Sequence, residues 1–245
     1  MVPIPLTDNV RRTTFWVSTL SLIVVNVWVF LYELSLGPNI NRLVFLLGIV
    51  PARYTTARGI ALLTPGGFFV PIFASMFLHG GWLHLLGNML FLYVFGRSVE
   101  DRFGHLKFLL IYFVGGLGGA LLHIFLNAGS RIPSIGASGA IAAVLGAYFV
   151  SFPRARITTV IWLLVFFWTV EIPALLVLGY WFLIQFLSAY YQMLSIQSAT
   201  AGGVAFWAHV GGFAAGVLLV KLFARSDYVA AHKAHHWRPR RVRWG

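Results

Sequence analysis

Long apolar stretches, interrupted by short polar segments, dominate the pattern of this chain of 245 residues. A helix that crosses a membrane needs about 20 apolar residues. Six stretches reach or approach that length, and we predict a span in each of them: 14–36, 82–99, 106–126, 137–152, 173–193 and 205–223. The pattern therefore predicts an all-α polytopic membrane protein, a bundle of six transmembrane helices.

Two further segments are apolar but do not have the pattern of a span. Residues 37–71 contain Pro51, Pro65 and Pro71, which interrupt regular structure, and we expect a structured loop that lies partly in the membrane interface. The segment Ile157–Thr169 is rich in β-branched and aromatic side chains but is too short to span. It predicts either an extended or interfacial segment or a low extension of the fifth span.

The composition narrows the class of protein. Hydrophobic residues make up 59% of the chain and charged residues 10%, whereas about a quarter of an ordinary soluble domain is charged. A soluble protein is excluded because too few charges remain to cover a surface that faces water. The absence of cysteine excludes disulfides, thiolate catalysis and cysteine-ligated metal sites.

Lysine and arginine are distributed unevenly over the segments that connect the spans. If the N-terminus lies inside, only four of the 18 basic residues face outside, namely Arg42, Arg53, Arg58 and Arg131. The positive-inside rule then predicts that both termini are cytoplasmic. It also explains the net charge of +12 by membrane anchoring rather than by nucleic-acid binding. We predict a cytoplasmic N-terminal segment 1–13, a membrane domain 14–225 and a basic cytoplasmic tail 226–245.

Three of the six predicted spans carry polar side chains near their outer ends. A polar group inside a span is costly and is by default a candidate for function. The second span region contributes three such groups and the fourth and sixth contribute one each: His79, His84 and Asn88 in FLHGGWLHLLGNM, Ser138 in IGASGA and His209 in WAHVGG.

Three of these polar groups are predicted to lie at one depth. Each is 16 residues before the charged residue at the inner end of its span: His84 before Glu100, Ser138 before Arg154, and His209 before Arg225. At a rise of about 1.5 Å per residue, each group lies about 24 Å from the inner flank. The spacing therefore predicts that the three polar groups converge on one plane.

This convergence permits nucleophilic catalysis. Ser138 can act as a nucleophile if His209 acts as its general base, although a serine at a helix start is most often an N-cap. Gly136 and Gly139 permit a tight entry into the fourth span and close helix approach. His84 and Asn88 are four residues apart on one helical face, and both can donate to an oxyanion. An inter-helix hydrogen-bond network is the alternative for this pair.

Metal and transport functions are the rivals of catalysis. His79, His84 and His209 could hold zinc with one open position, but a nearby carboxylate is then expected. None of the six carboxylates lies on the three polar spans at that depth. The same scarcity argues against a Ser-His-Asp triad and against a proton-coupled transporter. We therefore expect a Ser-His dyad with no metal and no other cofactor.

The ordered motifs HGGWLHLLGN, GASG and AHVGGFAAG resemble those of the rhomboid intramembrane serine proteases over roughly residues 70–225. The resemblance implies a six-helix rhomboid fold and a dyad of Ser138 and His209. It implies that His84 and Asn88, together with the Ser138 amide, form the oxyanion hole, and that His79 supports the outer rim.

The same resemblance implies an activity and its partners. The activity is cleavage of transmembrane segments of membrane proteins in the lipid bilayer, and we expect a prokaryotic plasma membrane. The fifth span would act as a gate, with 194–204 as its cap. Glu100 would have a structural role, and Gly212 and Gly216 would form a packing face. The alternative is an inactive rhomboid-like protein that binds transmembrane helices for trafficking or quality control.

One position departs from the family pattern. Some rhomboid proteases carry a tyrosine four residues after the serine, stacked on the catalytic histidine. In this chain that position is Ala142. Another side chain is therefore expected to orient His209.

Overall fold

A computed structural model describes residues 4–163, 166–194 and 204–223. The chain begins with a short strand, β1 (Ile4–Asp8), and then enters the first long helix, α1 (Val17–Ser35). Four short helices follow in place of the predicted structured loop: α2 (Ile40–Leu47), α3 (Pro51–Thr55), α4 (Ala57–Ala61) and α5 (Pro65–Ala74). Location of this region in the membrane interface stays a prediction.

The remaining helices follow from residue 82 onward. Helices α6 (Trp82–Phe91) and α7 (Arg97–Phe103) are joined without a break by a π-helical turn over Leu92–Gly96. The rest are α8 (His105–Leu126), α9 (Ser138–Ser151), α10 (Ala174–Leu194) and α11 (Phe206–Phe223). Helices thus occupy all six predicted stretches, and the helical membrane bundle predicted from the pattern is confirmed.

Within the described residues, fewer than six helices could cross a membrane alone, judged by length and composition. Four of the described helices are long and apolar enough: α1, α8, α10 and α11. The segment Pro65–Phe77, which includes α5, and the continuous α6–α7 helix, Trp82–Phe103, are long and apolar enough only when taken together. The two are bent by 86° relative to each other. Helix α9 has 14 residues, so it is about 21 Å long, shorter than a hydrocarbon core of about 30 Å.

Helix α9 lies at the centre of the bundle, and all ten residues from Gly139 to Tyr148 are buried. Glycines bring its backbone into contact with that of α11. A Cβ atom on Gly212 would lie 2.0 Å from the Gly139 carbonyl oxygen, and one on Gly216 would lie 1.9 Å from that of Ala143. Small residues at helix interfaces allow such close packing in lipid. The contacts hold the start of α9 against the start of α11.

A three-stranded antiparallel sheet was not part of the predicted all-α architecture. Strands β2 (Arg156–Leu163) and β3 (Phe166–Pro173) form a hairpin that leads directly into α10, and β1 pairs with β2. The hairpin agrees with the extended alternative for Ile157–Thr169, and the alternative of a low extension of the fifth span is wrong. The β-branched and aromatic residues of this segment favour a strand.

The N-terminal segment is packed against the bundle rather than separate from it. The buried carboxylate of Asp8 accepts hydrogen bonds from the hydroxyls of Ser98 (2.6 Å) and Tyr148 (2.9 Å) and pairs with Arg12. Ser98 belongs to α7 and Tyr148 to α9. The carboxylate therefore ties strand β1 to these two helices.

Glu100 caps the first helix. Its buried carboxylate accepts the backbone N–H groups of Ser18 (2.7 Å) and Thr19 (2.8 Å), and it also accepts a bond from the Thr19 hydroxyl. The first N–H groups of a helix lack partners within the helix, and an anion is favourable at that end. This geometry gives Glu100 a structural position at the start of α1.

Candidate functional site

Ser138 and His209 meet where α9 and α11 begin. The Oγ atom of Ser138 lies 2.7 Å from Nε2 of His209, although the two residues are 71 positions apart in the chain. Ser138 is the first residue of α9, and the N-cap residue before it, Ala137, makes no side-chain capping bond. The Ser138 hydroxyl thus pairs with a histidine and does not act as the N-cap of α9.

A residue that the sequence analysis did not single out holds the other side of the imidazole. The Nδ1 atom of His209 lies 2.7 Å from Oε1 of Gln185 on α10. The ring of Trp181, one turn earlier, lies 5.8 Å from the His209 ring with an interplanar angle of 34°. Both contacts come from α10. They flank His209 in a protein that has Ala142, not a tyrosine, at the position in α9 from which a ring could stack on the histidine. Gln185 was visible in the sequence as a polar residue within an apolar span.

His84 and Asn88 face the cavity next to this pair. The Gly80 N–H donates to Nδ1 of His84 at 3.3 Å, so a neutral His84 ring carries its proton on Nε2. The side-chain nitrogen Nδ2 of Asn88 is buried and has no hydrogen-bond partner among the residues that the structure describes. Both residues thus present an N–H group that can donate to a bound molecule.

Gly136 keeps the space between His84 and Ser138 open. Its φ of +130° is unfavourable for other residues. A Cβ atom at this position would lie 2.8 Å from Nε2 of His84 and 3.6 Å from Oγ of Ser138. Gly139 differs, because a Cβ atom there would make only ordinary contacts, 3.5 Å or longer, with Ala208.

His79 lies beside His84 rather than in the cavity lining. The two rings are 5.1 Å apart, and Nδ1 of His79 lies 3.2 Å from the Phe77 carbonyl oxygen. The backbone N–H of His79 donates to the buried carboxylate of Glu33 on α1 at 3.1 Å. A carboxylate therefore supports the segment before α6, a contact that the residue count along the spans did not anticipate.

The cavity has a volume of about 720 Å³ and is lined by Ser138, His209, His84, Asn88, Gln185 and Trp181, among others. Over the residues that the structure describes, no three or more His, Asp or Glu side chains are arranged to hold a metal ion. The predicted cap, 194–204, falls outside the described residues except at its two ends. The predicted tail, 226–245, falls outside them entirely.

Comparison with known proteins finds rhomboid-like proteins among the relatives of this chain. The chain is 34% identical over 143 residues to RHOMBOID-like protein 4 of Arabidopsis thaliana, which covers 58% of this chain and 31% of the relative. It is 32% identical over 153 residues to Rhomboid protein 1, mitochondrial, of Saccharomyces cerevisiae, which covers 61% of this chain and 40% of the relative. The chain thus spans less than half the length of each of these relatives.

The family model of the Rhomboid domain matches residues 67–226. The match includes all four residues that face each other across the cavity, His84, Asn88, Ser138 and His209, and the helices that carry them. It also agrees with the apolar helices that identify an integral membrane protein. Because the matched residues make up well over half of the chain, this protein belongs to the rhomboid family.

Proposed function

We propose that this protein is an intramembrane serine endopeptidase that hydrolyses peptide bonds in transmembrane segments of other membrane proteins. The observation that carries the proposal is the distance of 2.7 Å between Ser138 Oγ and His209 Nε2, at a cavity between membrane helices. A serine becomes nucleophilic when an adjacent base takes its proton. Ser138 and His209 together are sufficient to generate the nucleophile.

The reaction begins with attack on the substrate. Ser138 Oγ attacks the carbonyl carbon of the scissile peptide bond while its proton moves to His209 Nε2. The tetrahedral intermediate then collapses, the C–N bond breaks, and the proton on Nε2 passes to the leaving amine. Water, deprotonated by the same nitrogen, attacks the acyl-enzyme and releases the acid with regeneration of the Ser138 hydroxyl.

His84 and Asn88 are suited to stabilise the negative oxygen of the intermediate. The Nε2–H of His84 and the unpartnered Nδ2 of Asn88 are both donors at the cavity. The backbone N–H of Ser138, at the start of α9, adds a third donor with the helix dipole behind it. A single donor of this kind contributes about 3 kcal/mol to catalysis.

The substrate class follows from the location of the cavity. A peptide bond in an intact helix hides its carbonyl in the helix hydrogen bonds, so we expect cleavage near helix-breaking and small residues. The proposal includes cytoplasmic N- and C-termini, on the distribution of basic residues. The yeast relative is named as a mitochondrial protein. For this chain, location in a prokaryotic plasma membrane stays a prediction.

Cleavage by the purified full chain tests the proposal. Wild type, Ser138→Ala, His209→Ala and the control Ser35→Ala are reconstituted with a single-span substrate, and product is followed on gels. Ser35 is an exposed residue of α1 whose hydroxyl donates to the Tyr32 carbonyl oxygen of the same helix. We expect cleavage by wild type and Ser35→Ala and none by the other two. Full activity in either dyad variant would contradict the proposed dyad.

The inactive alternative predicts a different result. A fluorophosphonate probe should label wild type and Ser35→Ala at Ser138 and leave Ser138→Ala unlabelled. If folded wild type neither cleaves nor labels but retains a transmembrane substrate on affinity resin, the protein is a binding member of the family and not a protease.

A further inference from the structure

Helix α10 carries one polar side chain that points at the dyad. In the sequence ALLVLGYWFLIQFLSAYYQML, Gln185 is surrounded along the chain by apolar residues. A polar group in lipid or in a protein core is costly unless it is hydrogen-bonded. The oxygen Oε1 of Gln185 meets that need at Nδ1 of His209, at 2.7 Å. Both nitrogens of the His209 imidazole therefore have a polar partner in the site, Gln185 at Nδ1 and Ser138 at Nε2.

The chemistry of the amide determines which nitrogen of His209 carries the proton. An amide oxygen can only accept a hydrogen bond, so Nδ1 of the neutral ring must be the protonated nitrogen. The other nitrogen, Nε2, is then left with a lone pair directed at the Ser138 hydroxyl at 2.7 Å. This is the tautomer that a general base requires, and the reversed tautomer cannot accept the serine proton.

Packing between α10 and α11 does not need this hydrogen bond. Three ring contacts join the two helices independently: Phe182 with Phe213 at 4.6 Å, Trp181 with Phe213 at 6.4 Å, and Phe186 with Trp207 at 6.2 Å. Because these ring contacts already pack the two helices together, the main effect of the hydrogen bond is to orient the side chains that it joins. Its contribution is the orientation of one imidazole.

We propose that Gln185 is a positioning residue for His209: its amide oxygen holds the imidazole in the base-competent tautomer, in a site where α9 offers only Ala142 at the position of the family's tyrosine. The proposal rests on the proposed protease function of the same dyad. It also ties the alignment of His209 to α10, which is the least buried of the four membrane-length helices, 22% against 33–44%.

Three variants of the full chain separate positioning from packing. Gln185→Met removes the acceptor at nearly constant volume, Gln185→Glu keeps an acceptor and adds charge, and Leu187→Met places the same new side chain on an exposed position of α10. For Gln185→Met we expect kcat to fall about 10- to 100-fold with KM within about twofold. Leu187→Met should match wild type.

The pH profile provides the readout that a packing defect would not change. A carboxylate beside the ring favours protonated imidazole, so Gln185→Glu should recover most of kcat above neutral pH. It should also lose activity at a higher pH than wild type on the acid side. Unchanged kcat and an unchanged pH profile in Gln185→Met would overturn the proposal.

A tautomer measurement keeps this outcome separate from failure of the protease proposal. In protein labelled with ¹⁵N-histidine, the His209 signal, identified by its loss in His209→Ala, should report a protonated Nδ1 in wild type. A mixture of tautomers is expected in Gln185→Met. If wild type does not cleave but shows the protonated Nδ1, the protease function fails and the positioning stands. If wild type cleaves and the His209 tautomer is the same in wild type and Gln185→Met, the protease function stands and the positioning fails.

Discussion

A Cβ atom on Gly136 would lie 2.8 Å from both Cε1 and Nε2 of the His84 imidazole. The same atom would lie 3.6 Å from the Ser138 hydroxyl, so it would occupy the space between a proposed oxyanion donor and the nucleophile. Gly136 is held there by its N–H, which donates to the Ser75 carbonyl oxygen at 2.8 Å. An open gap at this point is what a developing oxyanion requires.

The variant Gly136→Ala should therefore lose catalysis. We expect kcat/KM for a transmembrane substrate to fall at least about 100-fold, comparable to removal of an oxyanion donor. Gly81→Ala is the matched control, because Gly81 also has a positive φ, +151°, but a Cβ atom there meets nothing within 4 Å. Both variants carry backbone strain, and only the first fills the gap. Equal losses in the two would show that strain alone accounts for the effect.

Asn88 allows catalysis and packing to be distinguished. Its Nδ2 is buried without a partner, so replacement by leucine, which has similar volume, removes a desolvated donor and no hydrogen bond at that atom. We expect Asn88→Leu to lower kcat by roughly 100-fold while the unfolding temperature stays the same or rises. A marked fall in unfolding temperature with intact kcat would support the inter-helix network instead.

The contact between α11 and α9 should be sensitive to a single methyl group. A Cβ atom on Gly216 would lie 1.9 Å from the Ala143 carbonyl oxygen, a backbone atom that cannot move without shifting α9. We expect Gly216→Ala to cost about 1–3 kcal/mol of stability through overpacking, or more if the helices separate. Thermal unfolding in detergent, followed by circular dichroism, measures this loss.

Gly179→Ala is the control for Gly216→Ala. Gly179 lies within α10, and a Cβ atom there meets nothing within 4 Å. Alanine is a better helix former than glycine by up to about 1 kcal/mol, so this variant should be as stable as wild type or more stable. If both variants lose the same stability, the close backbone contact is not the cause.

Asp8 should stabilise the fold from outside the membrane helices. Asp8→Ala leaves the Tyr148 hydroxyl and the Ser98 hydroxyl without their acceptor and Arg12 without its counter-charge. Arg12 retains 20% exposure, so we expect a cost at the lower end for a broken buried pair, about 2–3 kcal/mol. Glu171→Ala, which removes an exposed carboxylate of β3, should cost almost nothing by the same unfolding measurement.

The pH dependence of the Asp8 contribution has a definite sign. Burial raises the pKa of Asp8 above its ordinary value, although Arg12 and the two hydroxyls oppose this. A raised pKa means that folding favours the protonated form, so the stability from this group is full below the unfolded pKa and declines as pH rises through the folded pKa. The unfolding-temperature difference between wild type and Asp8→Asn should therefore narrow as pH rises. Widening would contradict the raised pKa.

The local pattern was sufficient for the long helices. Apolar runs marked all six stretches in which a span was predicted, because lipid requires each spanning segment to satisfy its own backbone. A constant rise per residue then made counting from the inner charges informative. The pairing of Ser138 with His209 at 2.7 Å agrees with that count.

Contacts between distant segments could not be predicted from the local sequence pattern. A strand preference was visible in Ile157–Thr169, but its partner β1 comes from the other end of the chain, and pairing depends on where the bundle brings the two together. The same holds for the contact of Glu33 with His79 and for those of Asp8 with Ser98 and Tyr148, which join residues 46 to 140 positions apart.

By itself the sequence determined a helical membrane protein and predicted a serine and a histidine at one depth, because composition and helical rise are properties of each segment alone. Only the tertiary structure decided that Gln185 holds His209 and that Gly136 leaves room beside His84. Both depend on how each helix is rotated about its axis and how closely the backbones approach. That rotation is set by packing between segments, through the backbone contacts of Gly212 and Gly216, and no single segment encodes it.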